Sequence, residues 1–279
     1  MFGPIRALTA ADLPGCLALA RDRGWIPEER TWRLLFDLGT VYGARDRSGE
    51  LAGVTVLTRY GAGFAVIGMM LVAARYGGRG LGRALMTHAL ADAGDATVFL
   101  HATPVGRPLC EGLGFVPAGA SHTHLGGFRP DAPAAAVAGS RPAGPGDLMA
   151  IRRLDAQAHG TDRAQLVRRL PGFTEQLRVI ERLGVITGYA GAYQCTGHAC
   201  IGPVIAETAG DAKTLIADAA AAVSGPVRID LDGHHSQLRE WAARRGLAPG
   251  ASSALMVLGG RPLPGDRAWC FAPVMLALG

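Results

Sequence analysis

FAVIGMMLVAARYGGRGLGRALMTHAL, residues 64–90, holds a strand, a turn and a helix in that order. Phe64 to Val72 is a short apolar run rich in strand formers, of strand rather than helix length. Gly77, Gly78, Gly80 and Gly82 follow, interleaved with Arg79 and Arg83. Beyond them Leu81, Leu85, His88 and Ala89 recur on one face of a helix. Such a turn suits an anion. A helix start leaves about four backbone N–H groups without partners and carries roughly half a positive charge. Glycines let the backbone come close to a ligand, and phosphate or pyrophosphate is the natural guest. Arg79 and Arg83 can add bidentate contacts.

The spacing excludes the nucleotide loops. A P-loop needs Gly-Lys before Ser or Thr, and Lys213 is the only lysine in the chain. A dinucleotide fingerprint needs G-x-G-x-x-G, which fails at Arg83 when counted from Gly78 and at Leu85 when counted from Gly80. The pattern resembles the acyl-CoA loop of the GNAT acetyltransferase superfamily, whose core is Q/R-x-x-G-x-G/A. Here Met70-Leu71-Val72 precede Tyr76-Gly77-Gly78-Arg79-Gly80-Leu81-Gly82, and Gly77 stands where the family has Arg or Gln. A second GNAT signature, L-Y-E-x-L-G-F, is similar to Leu109-Cys110-Glu111-Gly112-Leu113-Gly114-Phe115, with Cys110 in place of the tyrosine.

Composition sets the frame. A chain of 279 residues holds one large or two medium domains. It is 49% hydrophobic and 18% charged, which favours a packed core over disorder. The net charge of +5 suits an anionic cofactor, but no basic run interleaved with aromatics argues for nucleic acid. Five cysteines are scattered without a C-x-x-C pair, so neither a metal site nor a disulfide framework is expected. The start, MFGPIRALTAADL, has no signal-peptide pattern, and no apolar run is long enough for a membrane span. A soluble cytoplasmic protein, monomer or homodimer, is the expectation.

Around the opening stretch, Ile5 to Leu8 reads as a strand. Thr9 or Asp12 caps a helix with Leu13, Cys16, Leu17 and Ala20 inward. Gly24-Trp25-Ile26-Pro27 leads to a second helix, Glu28 to Leu38. Val41 to Arg45 and Leu51 to Thr58 flank a hairpin turn. After the glycine loop the helix runs to about Gly94, and Thr97 to Leu100 is a strand. Gly126 to Gly146 is dense in Gly, Pro and Ala and reads as a linker with a short strand, Ala135 to Val137.

The second half repeats the first. GLGFVPAGASHTHLGG (Gly112 to Gly127) matches RGLAPGASSALMVLGG (Arg245 to Gly260), with VRIDL (Val227 to Leu231) and a helix, Gln237 to Arg245, ahead of the second copy. Its central strand, Ala199 to Ala206, is followed by Glu207-Thr208-Ala209-Gly210-Asp211 and a helix over Ala212 to Val223. One glycine and two acids make a poor seat for a pyrophosphate, so the second copy is not expected to bind CoA. The second half also resembles the C-terminal GNAT-like domain of two-domain bacterial acetyltransferases, in HGTDRAQLVRRL, TGYAGAY, IGPVIAE and WCFAPVMLALG. There Asp162 and Arg163 are expected to form a fold-stabilising pair or, in the other reading, to touch substrate.

The resemblance implies an α/β (α+β) fold class: two tandem GNAT folds, each a mixed, mostly antiparallel twisted sheet flanked by helices. The expected domains are 1–128 (acetyl-CoA-binding), 129–146 (linker) and 147–279 (degenerate). It implies acetyl-CoA as cofactor and transfer of the acetyl group to the amine of a small-molecule or amino-acid-like acceptor. By the resemblance, Met70, Leu71 and Val72 bind the pantetheine arm through their backbone. Gly77, Gly78, Arg79, Gly80, Leu81, Gly82 and Arg83 hold the pyrophosphate, and Thr103, Gly106 and Leu109 flank the thioester arm. Cys110 is the candidate acid. Trp25, Glu28 and Glu29 fall in the region that lines the acceptor site. Glu28, Glu29, His101, His122 and His124 are the candidate bases, because a neutral amine is needed at pH 7 and the central strand carries no carboxylate. The other reading is a catalytically weak acyl-CoA-binding or sensing protein, suggested by Gly77, Cys110 and the missing base.

Overall fold

The computed structural model describes residues 2–130 and 139–279, so the short strand expected at Ala135 to Val137 lies outside the described residues. The elements are β1 (Arg6–Ala7), α1 (Leu13–Asp22), α2 (Glu29–Leu38), β2 (Thr40–Arg45), β3 (Leu51–Tyr60), β4 (Phe64–Val72), α3 (Leu81–Ala93), β5 (Thr97–Ala102), α4 (Arg107–Glu111) and β6 (Phe115–Gly126). They continue with β7 (Arg141–Pro142), α5 (Leu148–His159), α6 (Ala164–Phe173), β8 (Gln176–Arg182), β9 (Val185–Cys195), β10 (His198–Ala206), α7 (Ala209–Ala221), β11 (Val227–Asp232), α8 (Ser236–Arg244), β12 (Ala248–Leu258) and β13 (Cys270–Ala272). The order β-α-α-β-β-β-α-β-α-β thus occurs twice, as the internal repeat requires.

Two compact units result. The first is Met1–Pro117 with Met256–Arg261 and Leu278; the second is Ala118–Leu255 with Pro262–Ala277 and Gly279. The end of β12 therefore belongs to the first unit, and most of β6 to the second. In the first unit the strand order is β1-β2-β3-β4-β5 and then the end of β12. In the second it is β12-β6-β11-β10-β9-β8-β7, with β13 on β10. The pairing is antiparallel from β1 to β4 and parallel between β4 and β5.

The first unit is held by an amphipathic logic. Leu13, Cys16, Leu19 and Ala20 of α1 are buried, as are Trp32, Leu34 and Leu35 of α2. On α3, Leu81, Leu85, Met86 and Ala89 face inward. His88, expected on that face, is exposed with its ring edge-on to Tyr42. Phe64 stacks on Phe99 at 5.0 Å.

Two irregularities open the far end of β4. Val54 pairs with Leu71 and Val56 with Gly68, so Met69 and Met70 stand opposite Thr55 alone. This is a β-bulge, and Met69 has φ +50°, a conformation that costs a non-glycine residue about 1–3 kcal/mol. In addition, β4 pairs with β5 only over Phe64 to Val66. Past Val66 the two strands diverge, leaving the bulged end of β4 without that ladder.

The second unit has the same device and fills it. Ile201 pairs with Ala192 and Val204 with Ala190, a bulge at the matching place in β10. Beyond its pairing with β11, which runs over Ala199 to Ile201, β10 is joined by β13 through Val204 and Ile205. Phe271 and Ala272 of β13 pack into the core formed by Leu215, Ile229, Leu238 and Trp241. In the second unit the chain's own β13 thus occupies, beside β10, the position that corresponds to the open one beside β4 in the first.

A buried ionic group ties α5 to α6 and β9. Arg163 donates to both Asp155 carboxylate oxygens at 3.0 and 2.7 Å, and Tyr189 Oη donates to Asp155 at 2.5 Å. Removing one partner of such a pair costs about 3–5 kcal/mol. Arg163 and Asp162 do not pair with each other, contrary to expectation: Asp162 is exposed, pairs with Arg152 and accepts from Ala164 N–H at 2.9 Å. One residue points into the α5–α6 core and its neighbour caps α6, so adjacent side chains part.

Candidate active site

The glycine turn is built as an anion seat. Gly78 and Gly80 have φ of +72° and +82°, and a side chain at either would enter open space. Gly80 is the residue before α3, so the free N–H groups of the first helical turn face the same opening. The loop is anchored from behind. Ala74 N–H donates to Asp22 Oδ2 at 2.6 Å, and Tyr76 Oη donates to Asp46 at 2.8 Å. Arg75 pairs with Asp46 and Glu50 at 3.0 and 2.6 Å, and Ser48, Arg75 and Tyr76 together hold Asp46 well below the usual carboxylate range.

A cleft of about 610 Å³ opens beside this turn. The strand side is Met70, Leu71 and Val72, the bulged end of β4. The loop side is Tyr76, Gly77, Gly78, Gly80, Leu81, Gly82 and Arg83. The far wall is Thr103, Val105, Gly106 and Leu109, between β5 and α4. Arg23 and Trp25, from the α1–α2 connection, complete it.

Of the residues expected from the sequence at the pyrophosphate and pantetheine, only Arg79 is not on this wall; its guanidinium lies over the Tyr76 ring at 5.7 Å. Arg83 reaches the wall and donates to Gly112 O at 3.1 Å. Thr103 Oγ1 accepts from Gly106 N–H at 3.2 Å, fixing the start of α4.

The expected catalytic residues are placed otherwise. Glu29 lies on the surface of α2 in a 2.6 Å pair with Arg33. Glu28 is the residue before α2 and does not line the cleft. Cys110 is 7% exposed, and burial pushes its thiol up. His122 bonds Ser252 at 2.8 Å and His124 contacts the His122 carbonyl at 3.1 Å, so both serve β6. His101 packs edge-on to Phe99. No carboxylate or imidazole is among the described residues lining the cleft.

The sequence reading missed Arg23, Tyr76 as a wall residue, and Val105. Arg23 had a signal, its place beside Trp25. Val105 is 85% exposed, an apolar side chain that only the fold brings to a cleft.

In the second unit, α7 is capped by Thr208 Oγ1, which accepts from Asp211 N–H at 3.1 Å. Asp211 pairs with Arg182 at 2.7 Å and accepts from Thr187. That helix start is closed by its own side chains.

Comparison with known proteins agrees with the geometry. Residues 11–115 match the Acetyltransferase (GNAT) family, and residues 151–272 match an Acetyltransferase (GNAT) domain. The chain is 30% identical over 233 residues to the uncharacterised N-acetyltransferase YitH of Bacillus subtilis, covering 81% of each chain. A crystal structure of a proposed acetyltransferase from Pyrococcus horikoshii has a TM-score of 0.84 at 19% identity, covering 99% of this chain and 95% of that one. A tandem GNAT protein from the clavulanic acid biosynthesis pathway has a TM-score of 0.70 at 17% identity, covering 94% and 99%. The fold is thus the tandem GNAT one, mixed α/β with mostly antiparallel sheets, and the chain belongs to the GNAT family of acetyltransferases.

Proposed function

We propose that the chain is an acetyl-CoA-dependent N-acetyltransferase for a small amine or amino-acid-like acceptor, with its active site in the cleft of the first unit. The observation that carries this reading is the coincidence, on one wall, of a glycine turn open at Gly78 and Gly80 with the diverging, bulged end of β4.

Acetyl-CoA supplies, when bound, an acyl group activated as a thioester. The N–H groups from Gly78 to Arg83 and the start of α3 hold the pyrophosphate. The backbone of Met70, Leu71 and Val72, past its ladder with β5, binds the amides of the pantetheine arm and polarises the thioester carbonyl. Thr103, Gly106 and Leu109 confine that arm. Trp25, 41% exposed, covers the acceptor, and Arg23 attracts a carboxylate on it. In the transfer the acceptor nitrogen would bond to the acyl carbon as the carbon–sulfur bond breaks, CoA would leave as its thiolate and be protonated from solvent, and the amine would give up one proton. With no carboxylate or imidazole on the wall, a water molecule takes that proton. Asp22 is less suited, being committed to the Ala74 N–H.

The lack of a base on the wall favours a second, narrower reading: an acyl-CoA-binding protein of low turnover. Calorimetry with CoA and release of CoA thiol across an amine panel decide. Binding abolished by Gly80→Glu, with amine-dependent thiol release, supports the transferase. Binding without turnover on any amine supports the second reading. Absence of CoA binding, or binding intact in Gly80→Glu, overturns both.

A further inference from the structure

The tip of the β9–β10 hairpin carries a cluster that acyl transfer does not use. Cys195 and His198 face each other across the two-residue turn Thr196-Gly197. Cys200 lies two residues along β10 from His198, so the alternation of a strand puts all three side chains on one face. One ligand atom from each lies within 4.8 Å of the others. The two sulfurs are 3.4 Å apart.

Those distances discriminate between two chemistries. A disulfide needs sulfurs about 2.0 Å apart, well inside the observed separation. Two thiolates on one tetrahedral zinc, each about 2.3 Å from the metal, stand about 3.8 Å apart, and an imidazole nitrogen completes the third corner at similar range. Two thiols and one imidazole select a borderline-soft ion and disfavour calcium or magnesium, which need oxygen. We propose that Cys195, His198 and Cys200 form a zinc(II) site of the second unit, its fourth position taken by water.

Binding replaces two S–H bonds by two Zn–S bonds and releases two protons to solvent, leaving a site of zero net charge. Because two ligands come from β10 and one from β9, the ion pins the hairpin at its open end. The spacing C-x-x-H-x-C escapes a search for paired C-x-x-C motifs, which is why the sequence reading expected no metal.

The test uses the full chain, reduced and stripped with a chelator, then titrated with cobalt(II) and zinc(II). The expected result is one equivalent of cobalt with a thiolate-to-cobalt charge-transfer band and the visible bands of a tetrahedral site, displaced by zinc. Zinc should raise the melting temperature. Cys195→Ser and Cys200→Ser should each lose the charge-transfer band while keeping the circular dichroism of the parent. The buried Cys16, Cys110 and Cys270 should contribute nothing. A cobalt spectrum without charge transfer, or one that persists in Cys200→Ser, overturns the proposal. So does a Cys195–Cys200 disulfide, mapped by mass spectrometry, that excludes the metal in protein handled anaerobically.

Discussion

Gly82 and Leu109 meet across the base of the cleft: a Cβ at position 82 would stand 3.4 Å from Leu109 Cδ2 and equally close to Met70 Cε. The first turn of α3, the wall of α4 and the bulge of β4 converge there, so a Cβ on α3 would touch both neighbours at ordinary van der Waals distance and a longer side chain would run on into the cleft. Gly82→Leu therefore fills the cleft rather than the core. Removing a helical glycine stabilises by up to about 1 kcal/mol, so melting should not fall. CoA affinity measured by calorimetry should drop at least about tenfold, equivalent to about 1.4 kcal/mol. Unchanged affinity would mean that the pantetheine arm does not pass this point.

Gly77 is the loop position where the family carries Arg or Gln. Its backbone, at φ −56° and ψ 144°, is open to any residue, and a Cβ there would approach only Ala74 O, at 3.4 Å. Gly77→Arg should thus fold normally and add one charge-assisted contact to a pyrophosphate. The exposed site limits the gain to about 1 kcal/mol, roughly a fivefold lower Kd for CoA. The gain should shrink as salt is raised from about 0.05 to 0.5 M, since the Debye length falls across that range. An Arg that leaves the Kd and its salt dependence unchanged would place the phosphates elsewhere.

Local features account for the part of this protein that was legible in its sequence. The strand Phe64–Val72 appears with the bounds expected, because its apolar run is bracketed by turn residues. The helix after the glycines ends at Ala93, with Gly94 at φ +62°, as its C-terminal glycine foretold. The repeat was visible because both copies keep the same alternation before Gly-Gly. Pairing at long range was hidden. Nothing in FVPAGASHTHLG tells that Val227 will pair with Gly126, or that the end of β12 will complete the first unit. Nothing in WCFAPV tells that Cys270 and Ala272 will sit on Ile205 and Val204. The glycine wall of the cleft was legible because the spacing of Gly78, Gly80 and Gly82 encodes it. The base was not, because proton transfer needs reach rather than spacing, and Glu29 spends its charge on Arg33.

Cys110 illustrates the same limit. Its thiol is buried, off the cleft wall and pushed above its ordinary value. A thiol off the wall cannot hand its proton directly to a thiolate departing in the cleft. Cys110→Ala should therefore leave kcat within about threefold, against the 10²–10⁴ that a general acid contributes. Initial rates should be taken well below the variant's melting temperature, because the buried sulfur also packs. A loss of about a hundredfold in kcat, with KM for acetyl-CoA unchanged, would make the thiol the acid after all.

His159 sets how the second unit answers acid. It is fully buried, with Nδ1 3.0 Å from the Asp155 carbonyl oxygen and Nε2 3.7 Å from Cys270 Sγ. Burial, aided by the Arg163 charge, pushes it down to about 3, although Asp155 acts the other way. The unfolded chain binds that proton near pH 6.5. Below pH 6.5 the unfolded state therefore holds a proton that the native state refuses, and stability falls as pH drops toward 3. Asp155 acts in the same direction lower down: held at about 2 chiefly by Arg163 against its own burial, it contributes stability that is lost below the ordinary carboxylate value. The slope from His159 alone is at most about 1.4 kcal/mol per pH unit. His122, His124 and His235 are lowered too, so His159→Gln should reduce the slope of urea midpoint against pH between 6.5 and 4 without abolishing it. The His159 ring resonance of the parent protein should show no titration above pH 4. A resonance that titrates near 6.5, or a slope identical in His159→Gln, would mean that this imidazole is protonated in the folded chain.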